Sequence, residues 1–250
     1  MDTLSYQSKL VSADEARRTG CFTTLPIRIH PRDDVADAAS RRFVREWVRE
    51  IGDGREQHTY FSFSPAGNWS SLVYPEAIPE RLGVLAYLSD LGLIRDDTGE
   101  GLSIDEAHAE HDKLYAALDP DDKRCLAPES RAMKTKKLVS QNTCNTAVIT
   151  VGCCFWPMLQ FSLGTMFSEA EHELVQPIID AAIEGLLLAN DYFRWGRRYR
   201  ELQSGHSKRI AAEDEINCKI VKAERDFCQR RDELYRAQPD MSMKLRKWIF

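Results

Sequence analysis

The chain has 250 residues, of which 43% are hydrophobic and 29% are charged, and its formal net charge is -5. This length and apolar content suffice for one sizeable globular domain, and the charged fraction is typical of a soluble protein. The acidic balance argues against a nucleic-acid-binding protein, which normally carries an excess of Lys and Arg.

The cysteines and the apolar segments indicate where the protein works. Seven cysteines, an odd number without a CxxC pair, favour reduced thiols over a disulfide framework. Residues 1–20 lack the apolar core of a secretory signal, and we expect them to be flexible. The most apolar run, residues 147–161, is interrupted by Pro157 and is shorter than the roughly 20 residues that cross a bilayer. We therefore predict a cytoplasmic protein without a membrane span.

The first half of the chain contains one extended segment and two long helices. The stretch "CFTTLPIRIHPRDD", from Cys21, alternates apolar and polar residues and predicts a short extended segment. Residues 33–54 begin with acidic side chains, carry apolar residues at helical spacing and end in two glycines, which predicts a helix. After a loop rich in Ser, Gly and Pro, residues 74–97 predict a long buried helix with Pro79 near its first turn.

Helices also dominate the second half of the chain. Ser103 and Glu106 form a capping-box pattern at the start of "SIDEAHAEHDKLYAAL", which predicts a helix, and three further helices are predicted at about 128–141, 169–199 and 211–237. Strand signals are scarce and there is no internal repeat, so the predicted fold class is all-α, a helical bundle. One segment, "NTCNTAVITVGCCFWPMLQF" at 142–161, is β-branched and lacks helical amphipathicity.

Three carboxylates form the first candidate site, in the stretch "LIRDDTGEG". Asp96 and Glu100 are four residues apart and share a helix face, and Asp97 lies beside them. Such a cluster repels itself unless a cation neutralises it, and hard oxygen ligands suit Mg²⁺. A solvated acidic helix end has the same spacing, so both interpretations stay open. An EF-hand is excluded, because Ala107 stands at the loop position that requires a bidentate Glu.

The second candidate site lies in "GLLLANDYFRWGRRYRE". Asn190, Arg194 and Arg198 are four residues apart and line one helix face. This spacing suits three ligands around one metal ion, although two of the positions carry guanidinium groups. From the residues alone, an ordinary surface helix is the alternative.

Four stretches carry a resemblance to a known family. They are "CFTTLPIRIH", "GNWSSLVYPEAIPERLGVLAYLSDLGLIRDDTGEG", "MKTKKLVSQ" and "LLLANDYFRWGRR", in this order. Together they resemble the class I terpene cyclase domain of fungal terpene synthases of the fusicoccadiene and ophiobolin synthase type. The resemblance covers most of residues 20–141 and 156–247.

The resemblance implies a class I terpenoid synthase-like bundle of helices around an apolar pocket. Its two motifs would hold three Mg²⁺ ions, which bind the diphosphate of a linear C20 or C25 substrate, geranylgeranyl or geranylfarnesyl diphosphate. The metal ions stabilise the departing diphosphate, and a dry aromatic pocket protects the carbocation until it has cyclised. The candidate wall residues, each of which would also suit an ordinary core, are Phe61, Phe63, Trp69, Phe161 and Phe193.

Matched residue by residue, the first motif is intact. Asp96, Asp97 and Glu100 stand where the family has its aspartate-rich metal ligands, and Asp96 and Asp97 are the implied catalytic residues. Asn190 matches the first ligand of the second motif, and Asp191 matches its usual neighbour.

The second motif departs from the family pattern. Arg194 stands where a hydroxyl residue is expected, and Arg198 stands where a glutamate is expected. Arginine has no acceptor atom and stays protonated, so neither residue can ligate Mg²⁺. The implied substrate contacts are Asp96, Asn190, Asp191, Arg194 and Arg198, with Arg28 and Arg95 as further candidates for the diphosphate.

The chain also differs from the family in length. Only residues 142–155 stand where the family has two helices that supply a diphosphate-sensing arginine, and a C-terminal Arg-Tyr pair and a prenyltransferase domain are absent from residues 1–250. We expect a single, truncated and partly degenerate cyclase domain, served by a separate prenyltransferase. The alternative is an inactive homologue, a pseudoenzyme. A standalone prenyltransferase would need a second aspartate-rich motif.

Overall fold

A computed structural model describes most of the chain. The described residues are 6–52, 62–64, 66–99, 102–119, 121–142, 155–202 and 206–249. Only the backbone is described for residues 96–99, 142, 155, 191, 193–202 and 206–213.

Helices account for most of the described residues, which confirms the predicted all-α class. They are α1 Ala13–Arg18, α2 Asp33–Ile51, α3 Trp69–Val73, α4 Pro79–Gly99, α5 Ile104–Leu118, α6 Arg131–Asn142, α7 Phe155–Leu163, α8 Glu169–Leu202, α9 His206–Ala237 and α10 Met243–Trp248. Two short antiparallel pairs join β1 Lys9–Leu10 to β2 Arg28–Ile29 and β3 Phe63–Ser64 to β4 Gly67–Asn68. Among the described residues, no helix is long and apolar enough to cross a membrane.

The chain divides into two compact units. The first unit comprises residues 1–19 and 27–165, and the second comprises residues 20–26 and 166–250. The short segment 20–26 therefore belongs to the second unit, although the chain on both sides of it belongs to the first. The expectation of one domain over residues 1–250 stays a prediction.

The core of the first unit lies between α2 and α4. Phe43 and Trp47 of α2 are buried against Tyr87 and Leu91 of α4, and the rings of Phe43 and Tyr87 meet edge to face at 4.9 Å. The predicted helix at 33–54 ends at Gly52, whose φ of 67° is a left-handed conformation that glycine adopts without strain. Helical periodicity and a terminal glycine thus placed this element correctly.

Part of the N-terminal region is tied to the first unit. The backbone N–H groups of Gln7 and Ser8 donate to the buried carboxylate of Glu76 at 3.1 and 3.0 Å. Arg28 in turn donates through Nε to Ser8 Oγ at 2.6 Å. The described part of residues 1–20, for which we expected flexibility, thus contains both β1 and α1.

The segment α7 corrects the sequence interpretation of residues 142–161. Met158 packs against two clusters of the first-unit core, while Gln160 and Ser162 are also buried. α7 has only nine residues and follows a β-branched run, which is why the sequence did not predict a helix there. Pro157 lies in the first turn, where its missing N–H has no helical partner to lose. Residues 143–154 lie outside the described part.

The second unit is built on a pair of long helices, α8 and α9. At Gly185 a Cβ atom would lie 3.7 Å from Ala223 Cβ, so small residues allow the two helices to approach closely. Trp248 of α10 packs edge to face on Phe167, with ring centroids 5.3 Å apart. Both long helices are confirmed, within a few residues of their predicted bounds.

Candidate active site

The aspartate-rich motif lies at the C-terminal end of α4. Asp96 and Asp97 fall in the last turn of this helix, which ends at Gly99, while Glu100 lies outside the described residues. The last turn of α4 contains no basic residue, whereas α2 has Arg49 in the corresponding place. Helix C-termini carry partial negative charge, so carboxylates there are unfavourable without a cation. This donor set and its position fit a divalent metal ion.

A basic residue precedes the motif and contacts the next helix. Arg95 Nη2 lies against Nδ1 of His111 on α5. Burial lowers the pKa of Arg95, and burial together with the Arg95 charge lowers the pKa of His111. The guanidinium thus contacts α5 within the first unit, and its role as a diphosphate contact stays a prediction.

Arg28, in β2, lies near the N-terminal end of α4, whereas the aspartate-rich motif lies at its C-terminal end. Its guanidinium donates to Ser8 Oγ and to the Ser8 carbonyl, each at 2.6 Å, and stacks 4.7 Å over the ring of Tyr6. Ser8 binds Glu76, which lies shortly before α4. Asp96 is 17 residues beyond Pro79, the first residue of α4, which is about 25 Å along the axis. The structure therefore does not bring Arg28 to the aspartate-rich turn.

The second motif lies in the C-terminal half of α8. The helix continues to Leu202, so Asn190, Arg194 and Arg198 occupy one face on successive turns. Asn190 is exposed, whereas the side chains of Asp191, Arg194 and Arg198 lie outside the described part. Three apolar side chains with exposed fractions of 37%, 50% and 60% precede Asn190 on the same side, namely Ile183, Leu186 and Leu187.

Polar residues flank this apolar stretch on both sides. One turn before Ile183, Asp180 accepts a hydrogen bond from Gln176 Nε2 at 2.7 Å. Asn190 follows Leu187 by three residues. The exposed face of α8 thus changes from polar to apolar and back to polar over about 15 Å, from Asp180 to Asn190.

The described aromatic residues that were candidates for a pocket wall contact different partners. Phe63 lies under the guanidinium of Arg41 at 4.6 Å, and Phe161 lies under that of Arg81 at 4.7 Å. Trp69 packs edge to face on Tyr74, which lies in the first-unit core. The side chains of Phe61 and Phe193 are outside the described part, and a wall role for all five aromatic residues stays a prediction.

Among the side chains that the structure describes, no group of three His, Cys, Asp or Glu residues is placed to hold a metal ion. The carboxylates of Asp96, Asp97 and Glu100 are not among those side chains. The predicted ligand set of these three residues and Asn190 therefore stays a prediction.

Sequence reasoning missed a buried acid on α4. Asp90 is 5% exposed and accepts a hydrogen bond from the hydroxyl of Ser62, while its Oδ2 has no partner among the described residues. Burial raises the pKa of Asp90, and hydrogen bonds from Ser40 and Ser62 oppose that shift. The signal in the sequence was a lone acid within a buried apolar helix, two turns before the aspartate-rich motif.

Comparison with known proteins identifies the relatives of this chain. Bifunctional terpene synthase FUP1 of Fusarium proliferatum is 59% identical over 308 positions, which cover 100% of this chain and 41% of that protein. Preterpestacin I synthase tpcA of Cochliobolus heterostrophus is 58% identical, with 100% and 44% covered. Fusoxypene synthase of Fusarium oxysporum is 42% identical, with 100% and 43% covered. This chain is a homologue of the fungal terpene synthases. No family model matches the sequence.

The fold agrees with the relationship. Germacradien-4-ol synthase from Streptomyces citricolor superimposes with a TM-score of 0.61 over 91% of this chain and 92% of its own, at 14% identity. This similarity shows the fold alone, and it confirms the predicted terpenoid synthase-like bundle. The homologue spans less than half the length of its fungal relatives.

The alignment also bears on the expected loss of helices. It extends over 308 positions, whereas this chain has 250 residues, so at least 58 positions of FUP1 have no counterpart here. The loss of the two helices that the resemblance places between α6 and the second motif stays a prediction.

Proposed function

We propose that this terpene synthase homologue is a Mg²⁺-dependent cyclase. It would ionise and cyclise a linear C20 or C25 prenyl diphosphate, geranylgeranyl or geranylfarnesyl diphosphate. The observation that carries the proposal is that Asp96 and Asp97 occupy the C-terminal turn of α4, a turn without a basic residue, in a chain that aligns over its full length with fungal terpene synthases.

The roles of the residues follow from their chemistry. Asp96, Asp97 and Glu100 would hold Mg²⁺ through carboxylate oxygens, and the amide oxygen of Asn190 would add a ligand. The bound metal supplies positive charge that stabilises the departing diphosphate. Asp191, Arg194 and Arg198 would then contact the diphosphate from α8, since guanidinium groups pair well with phosphate oxygens.

The exposed face of α8 suits an amphiphilic ligand. Leu187 and Ile183 precede Asn190 by about 4.5 and 10.5 Å along the helix axis. A diphosphate bound near Asn190 would place the first isoprene units of its tail beside these two side chains. Their apolar surface would also keep water from the carbocation.

A pseudoenzyme is the second candidate, and a specific observation favours it. Arg194 and Arg198 stand on the turns of α8 that should supply two metal ligands, and arginine cannot ligate Mg²⁺. Fixed guanidinium charge would partly replace a metal ion in binding the diphosphate but would drive its departure less well. The expected behaviour is substrate binding with little turnover.

Product analysis separates the two candidates. The purified chain is incubated with geranylgeranyl or geranylfarnesyl diphosphate and MgCl2, and the extract is examined for hydrocarbons and the solution for released diphosphate. Matched controls contain EDTA or the Asp96→Asn variant. Hydrocarbon formation that needs Mg²⁺ and Asp96 supports a cyclase, saturable binding without product supports the pseudoenzyme, and the absence of both contradicts the proposal.

The proposal implies a supplier and a compartment. A prenyltransferase would make the substrate, and we place both reactions in the cytoplasm. Free thiols are in keeping with that compartment, and those among the described residues are Cys21, Cys125, Cys218 and Cys228.

A further inference from the structure

Residues 20–26 are termed here the clasp segment. It belongs to the second unit, whereas residues 19 and 27 on either side belong to the first. It contains the "CFTT" of the stretch "CFTTLPIRIH", to which the proposed reaction assigns no role. Its contacts within the second unit are specific.

A single carboxylate on α9 holds the clasp segment. Glu224 Oε2 accepts from the backbone N–H of Thr24 at 2.8 Å and from its hydroxyl at 2.6 Å, and Oε1 accepts from the hydroxyl of Thr23. The N–H of Leu25 donates to Thr23 Oγ1 at 3.1 Å, which fixes that hydroxyl further. Hydrogen bonds to a carboxylate are about twice as strong as neutral ones, so this arrangement orders the segment.

The clasp segment also contacts α8 at the second motif. The ring of Phe22 meets the ring of Tyr192 edge to face, with centroids 5.3 Å apart and an interplanar angle of 71°. Tyr192 is two residues after Asn190 and follows Asp191 directly. Anything that fixes the Tyr192 ring therefore fixes the rotation and the helical state of the turn that carries both candidate ligands.

We propose that Glu224 is a positioning residue for the second motif. Through Thr23 and Thr24 it holds Phe22 against Tyr192, and that brace keeps the Asn190 turn of α8 helical and oriented to bind diphosphate. This inference rests on the proposed function for its consequence, but the brace itself does not. The "CFTT" stretch would then contribute to the same site without contacting the substrate.

Hydrogen exchange tests the brace directly. In Glu224→Gln an amide N–H₂ group replaces one acceptor, so we expect the amides of residues 189–196 to exchange about tenfold faster, the scale of one charge-assisted hydrogen bond. The amides of residues 172–182 should not change. Glu233→Gln on the same helix is the matched control, because Glu233 is exposed and its carboxylate accepts from Gln229 Nε2 at 2.9 Å, one turn away on α9. Unchanged exchange at 189–196 in Glu224→Gln overturns the inference.

Thr24→Val gives a milder second variant. It removes only the hydroxyl bond and leaves the backbone N–H bond to Glu224 in place. A smaller acceleration at the same amides is expected even if Glu224→Gln folds poorly. The absence of any acceleration in Thr24→Val, with a correctly folded chain, counts against the brace.

Calorimetry with inorganic pyrophosphate and MgCl2 tests the consequence. Phe22→Leu should weaken pyrophosphate binding about fivefold, the size of an aromatic pair's contribution, and Phe22→Tyr should retain affinity because it keeps the ring. Combining Phe22→Leu with Glu224→Gln should add little, since both act through one brace. A merely structural role would leave the affinity unchanged in every variant and would overturn the positioning role. Failure of the parent chain to bind pyrophosphate would instead remove the proposed function, and the positioning role with it.

Discussion

The C-terminal turn of α4, in the first unit, and residues 190–198 of α8, in the second unit, carry the two candidate ligand motifs, and these differ in how far they keep the family pattern. The α4 motif keeps its three carboxylates in the sequence, whereas the α8 face keeps Asn190 but has Arg194 and Arg198 where the resemblance expects ligands. Under the proposed function, the first motif would hold a metal ion and the second would bind diphosphate mainly through fixed charge. Binding and ionisation of a prenyl diphosphate would then be separable.

The largest effect is expected from substitutions in the aspartate-rich motif of α4. Asp96→Ala and Glu100→Ala should each weaken Mg²⁺-dependent pyrophosphate binding by at least about 100-fold, because a clustered carboxylate ligand is removed. Isothermal titration calorimetry measures this, with Asp240→Ala, an exposed acid near the C-terminus, as the control. Unchanged affinity in both variants would remove this turn from the site.

A smaller effect is expected from restoring the family pattern in the second motif, on α8. The double change Arg194→Ser and Arg198→Glu provides an acceptor on each turn after Asn190, so Mg²⁺ affinity should rise about tenfold and turnover should increase. A double lysine variant keeps both charges without adding an acceptor, and it should not gain metal affinity. If the Ser/Glu variant binds no more Mg²⁺ than the parent, the α8 face is not a metal-binding face.

A third prediction concerns the buried acid within α4. Because burial raises the pKa of Asp90, the folded chain binds its proton more tightly than the unfolded chain does. The resulting stability is complete below the ordinary carboxyl pKa and is lost as the pH rises towards the raised value. Asp90→Asn should therefore be more stable than the parent by about 1 kcal/mol at pH 8 and should lose that advantage near pH 4. Urea unfolding at the two pH values tests this, and a difference independent of pH contradicts it.

The smallest effects compare a glycine in each helix. A Cβ atom added to Gly92 of α4 would have nothing within 4 Å, and one added to Gly185 of α8 would meet only Ala223 Cβ at an ordinary 3.7 Å. Alanine at either position should raise the free energy of unfolding by about 0.5–1 kcal/mol through helix propensity. Thermal unfolding measures both. Gly164→Ala is the opposing control, since φ is 64° and Ile78 Cδ1 would lie 2.7 Å from the new atom, so this variant should be destabilised.

Local sequence signals predicted the elements that depend on local chemistry. The capping box at Ser103 and Glu106 marks the start of α5, where the hydroxyl of Ser103 bonds the Glu106 carboxylate and lowers its pKa. Gly52 marks the end of α2. The same reasoning did not predict α7, which has only nine residues and follows a β-branched run.

Contacts between distant parts of the chain needed the structure. The sequence around Arg28 does not predict that its guanidinium binds Ser8. That contact lies near the N-terminal end of α4, and this end is about 25 Å from Asp96. Nor does a sequence distance of 200 residues suggest that Thr24 donates to Glu224. Such contacts depend on how helices pack, and packing is set by many weak interactions that no single motif encodes.

The amino-acid sequence by itself determined the all-α class, most helix bounds and the position of both candidate ligand motifs, because periodicity, caps and ligand spacing act over a few residues. Only the tertiary structure decided that residues 20–26 join the second unit, that Asp90 is buried, and that Phe22 meets Tyr192 beside Asn190. Those outcomes follow from burial and from long-range contacts, whose free energies arise only when separate segments exclude water together.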